Sequence, residues 1–232
     1  MKAPETAGLP VVDIFDEVDE ELRAERAQKL LQRYAGVIIA AALLIVGAAG
    51  GWQAWRRYQA KQDQAAAAEF LTAMTVADAT TAGTITPANR AAAIAVFDRL
   101  VGTAPEGYRT LARLREAALK ADAGDMQGAA ALWDQVAADP SADPLLRDLA
   151  NLTWAERQID TADPALLEAR LKALAAPDNA WHALAEEQLA LLDMRGGRQD
   201  AAKTALRRLA EDSSAPNGVR GRASALLTRL GG

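Results

Sequence analysis

The sequence predicts an all-α protein in which one N-terminal transmembrane helix is followed by a helical-repeat solenoid. Two observations predict this fold: residues 34–55 carry no charge, and similar stretches recur every 35–38 residues in the second half of the chain. No stretch shows the alternation of apolar and polar residues that is typical of strands. The predicted organisation is an acidic segment at residues 1–33, a transmembrane signal anchor at residues 34–55 and a repeat domain at residues 56–232.

The uncharged stretch is long enough to cross a membrane. At ~1.5 Å rise per residue its 22 residues reach ~33 Å, which matches a hydrocarbon core of ~30 Å. Tyr34 lies at one end and Trp52 and Trp55 at the other, where aromatic rings favour the headgroup layer. Arg56 and Arg57 follow directly. We therefore predict that these five residues lie at the two membrane interfaces.

Two alternatives to an anchor are weaker. A buried core helix normally keeps a polar face, whereas residues 36–51 are apolar all round. A cleaved signal peptide has a short basic start, whereas 33 residues, many of them acidic, precede this stretch. Basic residues flank the span almost equally, so charge barely indicates its orientation. We predict that the N-terminus lies in the cytoplasm.

Composition argues against catalysis and against nucleic-acid binding. Residues 1–33 hold five basic and eight acidic residues, and residues 56–232 hold 21 basic and 23 acidic residues. Neither part has the basic excess of a nucleic-acid-binding protein. Cysteine is absent and His182 is the single histidine, so the partners of a catalytic or metal site are missing. We predict a protein that is not an enzyme, with no metal site and no cofactor.

Helix-breaking and helix-capping residues mark the ends of the predicted helices after the span. The stretch TTAGTITP breaks the first helix, and Thr86 with Pro87 begins the next one. The three Asp-Pro pairs at 139–140, 143–144 and 163–164 suit helix caps and helix starts, since aspartate accepts hydrogen bonds from free helix N–H groups. Residues 56–101 form a degenerate first helix pair and residues 215–230 a capping last helix.

The second half of the chain repeats itself. YRTLARLREA from Tyr108, LRDLANLTWA from Leu146, WHALAEEQLA from Trp181 and VRGRASALLT from Val219 can be superposed. Such a period indicates stacked helix pairs, in which small residues let neighbouring helices approach closely. The small residues that align, and for which we predict tight repeat packing, are Ala117, Ala155 and Ala190.

One repeat resembles the tetratricopeptide repeat (TPR). In GDMQGAAALWDQVAADP (residues 124–140) glycine ends one helix, Asp125 can cap the next, and proline closes the unit. Ala117 and Ala129 stand at the two small-residue positions of the TPR, whereas Glu116 replaces an expected apolar residue and Leu167 replaces the second alanine of the next unit. The predicted fold is therefore a TPR-like solenoid.

The TPR resemblance also implies a partner groove. First helices of TPR units usually line the binding side, which makes Arg113, Asn151 and Trp154 candidates for partner contact. For Trp154 the sequence favours the hydrophobic core over partner contact. The stacking of helix pairs provides such a groove without any catalytic group.

The layout as a whole resembles a bacterial family of ancillary SecYEG translocon subunits. An acidic start is followed by one span that ends in the GWQAW of GWQAWRRYQ, then by a helical stalk and by repeats that include ALKADAGDMQGAAALWD. The resemblance implies a single-pass type II protein of the inner membrane, with a cytoplasmic N-terminus and a periplasmic TPR-like domain. It also implies association with the SecYEG translocon and with periplasmic folding factors such as a membrane-anchored prolyl isomerase, in a chaperone-like role.

A second function stays open at this stage. Membrane-anchored TPR proteins also act as scaffolds for other envelope assemblies, such as cytochrome c maturation or cell division. Both functions need a protein-binding module held at the membrane, and identification of the partners distinguishes them.

Overall fold

A computed structural model describes residues 14–81 and 84–231, with side-chain surroundings for residues 33–79 and 85–231. Residues 1–13 of the predicted cytoplasmic segment lie outside the described residues. Within these ranges the all-α prediction is confirmed. The helices are α1 (Ile14–Asp78), α2 (Pro87–Thr103), α3 (Glu106–Asp122), α4 (Met126–Ala138), α5 (Pro144–Gln158), α6 (Pro164–Leu174), α7 (His182–Arg195), α8 (Gln199–Glu211) and α9 (Asn217–Arg229).

The chain divides into two compact units, Met1–Gln59 and Ala60–Gly232. Among the described residues one helical stretch, Arg33–Asp78, is long and apolar enough to cross a membrane, with a window of mean hydropathy 2.1 that is not buried at all. Tyr34, Trp52 and Trp55 are 48%, 66% and 57% exposed. A core helix would cover this surface, so the exposed stretch is compatible with a single membrane span.

The break after α1 is confirmed and contains a feature that the sequence did not predict. Thr80–Thr81 pairs antiparallel with Thr84–Ile85 as two short strands, β1 and β2. The Thr86 side chain then accepts a hydrogen bond of 3.1 Å from the Asn89 amide, and Pro87 occupies the first turn of α2. The helix therefore begins at the predicted residue.

Aspartate caps and glycines set most of the remaining turns as predicted, but the prediction was wrong for Asp139, which lies at the C-terminal end of α4 and accepts hydrogen bonds from the amide and hydroxyl of Ser141. The side chains of Asp125, Asp143 and Asp163 accept hydrogen bonds from first-turn amides of α4, α5 and α6. Gly124 and Gly197 have φ values of +90° and +73°. Only glycine adopts this left-handed region at no steric cost, which explains its use in the turns α3–α4 and α7–α8.

Three apolar clusters hold the unit Ala60–Gly232 together. In the first, Phe70 from α1 meets Phe97 from α2 edge to face, with ring centroids 5.4 Å apart. The second surrounds Trp133 between α3 and α7, and the third surrounds Leu206 between α7 and α9. Successive helix pairs thus share their cores, because one pair alone cannot bury its apolar face.

The small residues that align in the repeats are fully buried. Ala117 and Ala155 belong to the second cluster and Ala190 to the third, and all three are 0% exposed. Their role in close helix contact remains a prediction, which a larger side chain tests.

We expect Ala155→Leu to lower the free energy of unfolding by about 1–3 kcal/mol, because the added atoms would overpack a buried site. Urea unfolding of the full-length protein in detergent, followed by circular dichroism, measures the change. Ala131 is exposed on α4, so Ala131→Leu is the matched control. Equal unfolding midpoints for Ala155→Leu and the control would contradict the proposed repeat register.

Polar ties join successive repeats. We call α3, α5, α7, α9 and residues 60–78 of α1 the leading helices, since the first four of these segments along the chain each begin a helix pair and α9, the last helix, aligns with them in the repeat. Arginines of α3, α5, α7 and α9 bond to the preceding leading helix or to the turn that follows that helix. These ties are Arg115 to Asp78 (3.0 Å), Arg157 to Asp122 (2.7 Å), Arg195 to the carbonyls of Ile159 (2.7 Å) and Ala162 (2.9 Å), and Arg222 to Glu187 (2.7 Å from Nε).

Candidate protein-binding groove

The leading helices form an apolar groove of about 320 Å³ in the first half of the repeat domain. Residues 60–78 of α1, α3 and α5 contribute its walls. Trp133 belongs to α4, the second helix of the pair α3–α4. It also lines the groove and is 1% exposed. The lining residues are Phe70, Met74, Leu111, Leu114, Arg115, Ala118, Trp133, Leu146, Leu149 and Thr153.

The helix period explains why these residues share one surface. On α5 the lining residues are Leu146, Leu149 and Thr153, which are spaced by three and four residues and so lie on one helix face. Leu111 is 38% exposed, although leucine normally gains from burial. An uncovered leucine is common on a protein surface, and what makes this groove a candidate site is that its apolar lining extends across three helices.

The three residues predicted for the groove lie elsewhere. Arg113 bonds Asp139 at 3.1 Å, and Asn151 accepts a hydrogen bond of 3.4 Å from Arg170. Trp154 is buried, with the Arg170 guanidinium 4.0 Å from its ring centroid. These side chains contact α6 and the turn after α4, and they do not line the apolar groove. Their contact with a partner remains a prediction.

The sequence contained a signal for the groove. In the four superposed repeats the fourth position is Leu111, Leu149, Leu184 and Arg222. Two of these leucines line the groove. This position is leucine in three repeats, although the aligned alanines already provide the core contacts. It is therefore a candidate for a second apolar surface. Phe70 and Met74 lack this signal, because the first helix pair is degenerate.

Two other kinds of candidate site, a second hollow and a metal site, have less support among the described residues. A second hollow of about 400 Å³ is lined by Thr204, Arg207, Arg208, Glu211 and Asp212, which all belong to α8 and its end. No second element converges on it. Across residues 33–79 and 85–231, no group of three or more His, Cys, Asp or Glu side chains is arranged to hold a metal ion. The single histidine, at 182, contacts the Ala175 carbonyl at 2.8 Å through Nδ1.

Charged groups gather where α5, α7 and α9 meet. Glu187 is 3% exposed and is bonded by Arg222 through Nε at 2.7 Å and Nη2 at 2.5 Å. The hydrogen bond to Glu187 raises the pKa of Arg222. Burial, followed by the charge of Glu187, raises the pKa of Glu156, which Arg222 and Arg157 partly oppose. Ionised Glu156 is therefore disfavoured in the folded state.

We expect Glu156→Gln to stabilise the protein at pH 7. A carboxyl group whose folded pKa is raised contributes stability while it is protonated, and this contribution is lost as pH rises through the folded pKa. Glutamine keeps the shape without the charge, so its advantage is expected to disappear below the ordinary pKa of glutamate. Thermal unfolding at several pH values measures this, with Glu211→Gln at an exposed position as control. A lower melting temperature for Glu156→Gln at pH 7 would contradict the electrostatic explanation.

A comparison with known families identifies the architecture. Residues 28–220 match a family model described as a tetratricopeptide repeat-like domain, and the matched region includes the apolar residues 34–55. No curated protein and no solved structure matches the chain. Domains with this repeat fold are typically non-enzymatic scaffolds that bind proteins. With most of its length matched and its helices stacked in pairs, the chain belongs to the tetratricopeptide repeat-like domain family.

Proposed function

We propose that the chain is a membrane-anchored protein-binding module, and that the apolar groove receives a segment of its partner. The observation that carries this proposal is the groove of α1, α3 and α5, which leaves Leu111 exposed and Leu114, Leu146 and Leu149 half-buried. Burial of apolar surface yields roughly 25 cal/mol per Å². Burial of this apolar surface by a partner would therefore stabilise the complex, and this binding needs no catalytic group.

We further propose that the module is anchored through residues 34–55, with residues 56–232 in the periplasm. The exposed apolar stretch and its aromatic ends support the anchor. Tethering raises the effective concentration of the groove for partners in the same membrane, so even a weak site can be occupied there.

Association with the Sec translocon is the most specific part of the proposal. Its support is the resemblance of GWQAWRRYQ and ALKADAGDMQGAAALWD to ancillary translocon subunits. In this role the groove assists the folding or trafficking of newly exported proteins, together with folding factors such as a membrane-anchored prolyl isomerase. Gentle solubilisation of membranes and capture of the full-length protein test this. Recovery of translocon subunits is expected, whereas consistent recovery of cytochrome-maturation or division proteins would favour a scaffold for those assemblies.

The orientation has its own test. A reporter that is active only in the periplasm, fused after Gly232, is expected to be active, and a cytoplasm-specific reporter at the same place is expected to be silent. N-terminal sequencing of the mature protein is expected to find residues before the span still attached. A mature chain that begins near Gly50 would show cleavage and contradict the anchor.

A further inference from the structure

The junction between α7 and α9 differs from the two junctions before it. In the superposed repeats, the seventh position of one repeat lies close to the fourth position of the next. The pairs at these positions are Leu114 with Leu149, Leu152 with Leu184, and Glu187 with Arg222. The first pair lines one groove and the second packs in one apolar cluster, whereas the third is an ion pair. Two apolar side chains are thus replaced by two charges.

The ion pair makes the docking of α9 conditional. Glu187 is 3% exposed, and Arg222 bonds it from Nε at 2.7 Å. The cost of removing the carboxylate from water offsets much of this attraction, so apolar side chains often replace such a pair without loss of stability. Loss of one partner is different, because the other charge then stays buried without compensation. The docked state of α9 therefore depends on both groups, whereas a leucine pair would not depend on charge.

α9 is also a weak helix. Gly221 lies in its interior, where glycine is less favourable than alanine because it loses more backbone freedom on folding. Its φ is not positive, and a Cβ at this position would meet no atom of the described residues within 4 Å. Neither backbone geometry nor close packing therefore requires glycine here, and its presence lowers the stability of α9.

α9 covers an apolar surface of its two neighbours with a small contact. It buries two residues, Val219 and Ala223, whereas α5 buries four residues and α7 five. In the third apolar cluster these two side chains of α9 pack with Leu206 and Leu209 of α8 and with Ala190 of α7. Departure of α9 would expose this part of α7 and α8 to water.

From the ion pair, the glycine and the small contact we propose that α9 is a detachable cap, which separates from α7 and α8 while the rest of the unit Ala60–Gly232 stays folded. Weakly held elements open in this way while the global fold persists. In the docked state α9 is itself the occupant of the apolar surface of α7 and α8 and keeps other proteins from it. The inference is independent of the proposed partner groove, which is lined by other helices.

Hydrogen exchange of the full-length protein in detergent, followed by mass spectrometry, tests the release. Amides of α9 are expected to exchange about tenfold faster, or more, than those of α5 and α7. Gly221→Ala is expected to slow exchange in α9 about two- to fivefold, because alanine favours the helix, and to leave α5 unchanged. Gly102→Ala, at a glycine of α2 that also has open space around it, is the matched control. Exchange in α9 that Gly221→Ala does not slow would contradict the cap.

Two variants with opposite expected effects test the ion pair. Arg222→Leu leaves Glu187 buried without its partner and is expected to speed exchange in α9 about tenfold. The double variant Glu187→Leu with Arg222→Leu restores the leucine pair of the earlier junctions. It is expected to slow exchange in α9 about fivefold relative to the unchanged protein. A double variant that exchanges as fast as Arg222→Leu alone would overturn the conditional docking.

Thiol labelling measures whether α9 leaves its site. The chain has no cysteine, so a single introduced thiol is observed without background. Ala223→Cys on α9 and Ala155→Cys on α5 change two alanines that are both 0% exposed. The A223C thiol is expected to react about tenfold faster than the A155C thiol, and Gly221→Ala is expected to slow the first reaction alone. Equal rates for the two thiols would show that α9 opens only with the whole domain, and would overturn the proposal.

Discussion

Replacing Trp133 by alanine is expected to lower the free energy of unfolding by about 3–5 kcal/mol. Trp133 is 1% exposed, lies in the central apolar cluster and forms part of the groove. Its removal takes away the apolar contacts of a fully buried tryptophan and leaves a cavity. Domains are stable by only about 5–15 kcal/mol, so this one change would remove a large fraction of the total.

Urea unfolding of the full-length protein in detergent measures this loss. Trp133→Phe is expected to retain part of the stability, because it keeps an aromatic ring at the site. Leu166→Ala, at a 44% exposed position of α6, is the surface control and is expected to have little effect. A midpoint for Trp133→Ala equal to that of the surface control would show that the cluster around Trp133 does not hold the repeats together.

The double substitution Leu111→Glu with Leu149→Glu is expected to weaken partner binding at least a hundredfold, which corresponds to ~2.8 kcal/mol. Both leucines line the groove. In the complex each carboxylate would be removed from water without a counter-ion, which is costly. In the free protein the groove is open to solvent, so the unfolding midpoint is expected to change much less than the affinity.

Quantitative recovery of the partner with the full-length protein measures this effect. Leu166→Glu introduces one such carboxylate at an exposed leucine outside the groove and is expected to leave recovery unchanged. Undiminished recovery with the double variant, together with an unchanged fold by circular dichroism, would exclude the groove as the site of contact.

Local chemistry was predictable from the sequence. Thr86 begins α2, and Asp125, Asp143 and Asp163 cap the helices that follow them. A cap depends on residues within one turn, so a single sequence contains the whole interaction. The repeat period could also be found from the sequence, because its detection requires only that the chain be aligned with itself.

The groove was harder to predict, because it depends on which apolar residues the neighbouring helices leave uncovered. Leu111 and Ala112 are adjacent, yet Leu111 is 38% exposed and Ala112 is 0% exposed. Arg113 is also tied by a distant partner, Asp139, which is 26 residues away along the chain. Pairings of this kind follow from the angles between helices, and no local pattern determines them.

The polar ties between leading helices have a direction. Arg115, Arg157, Arg195 and Arg222 each reach back to the helix pair before their own, over 33–37 residues. Each central unit therefore carries a donor for its predecessor and an acceptor for its successor. If the gene segment for one unit were duplicated in frame, the new copy would contain both the arginine donor and the acceptor that connect it to its neighbours. Such an array can lengthen or shorten by whole units during evolution, and the size of its binding surface can change with them.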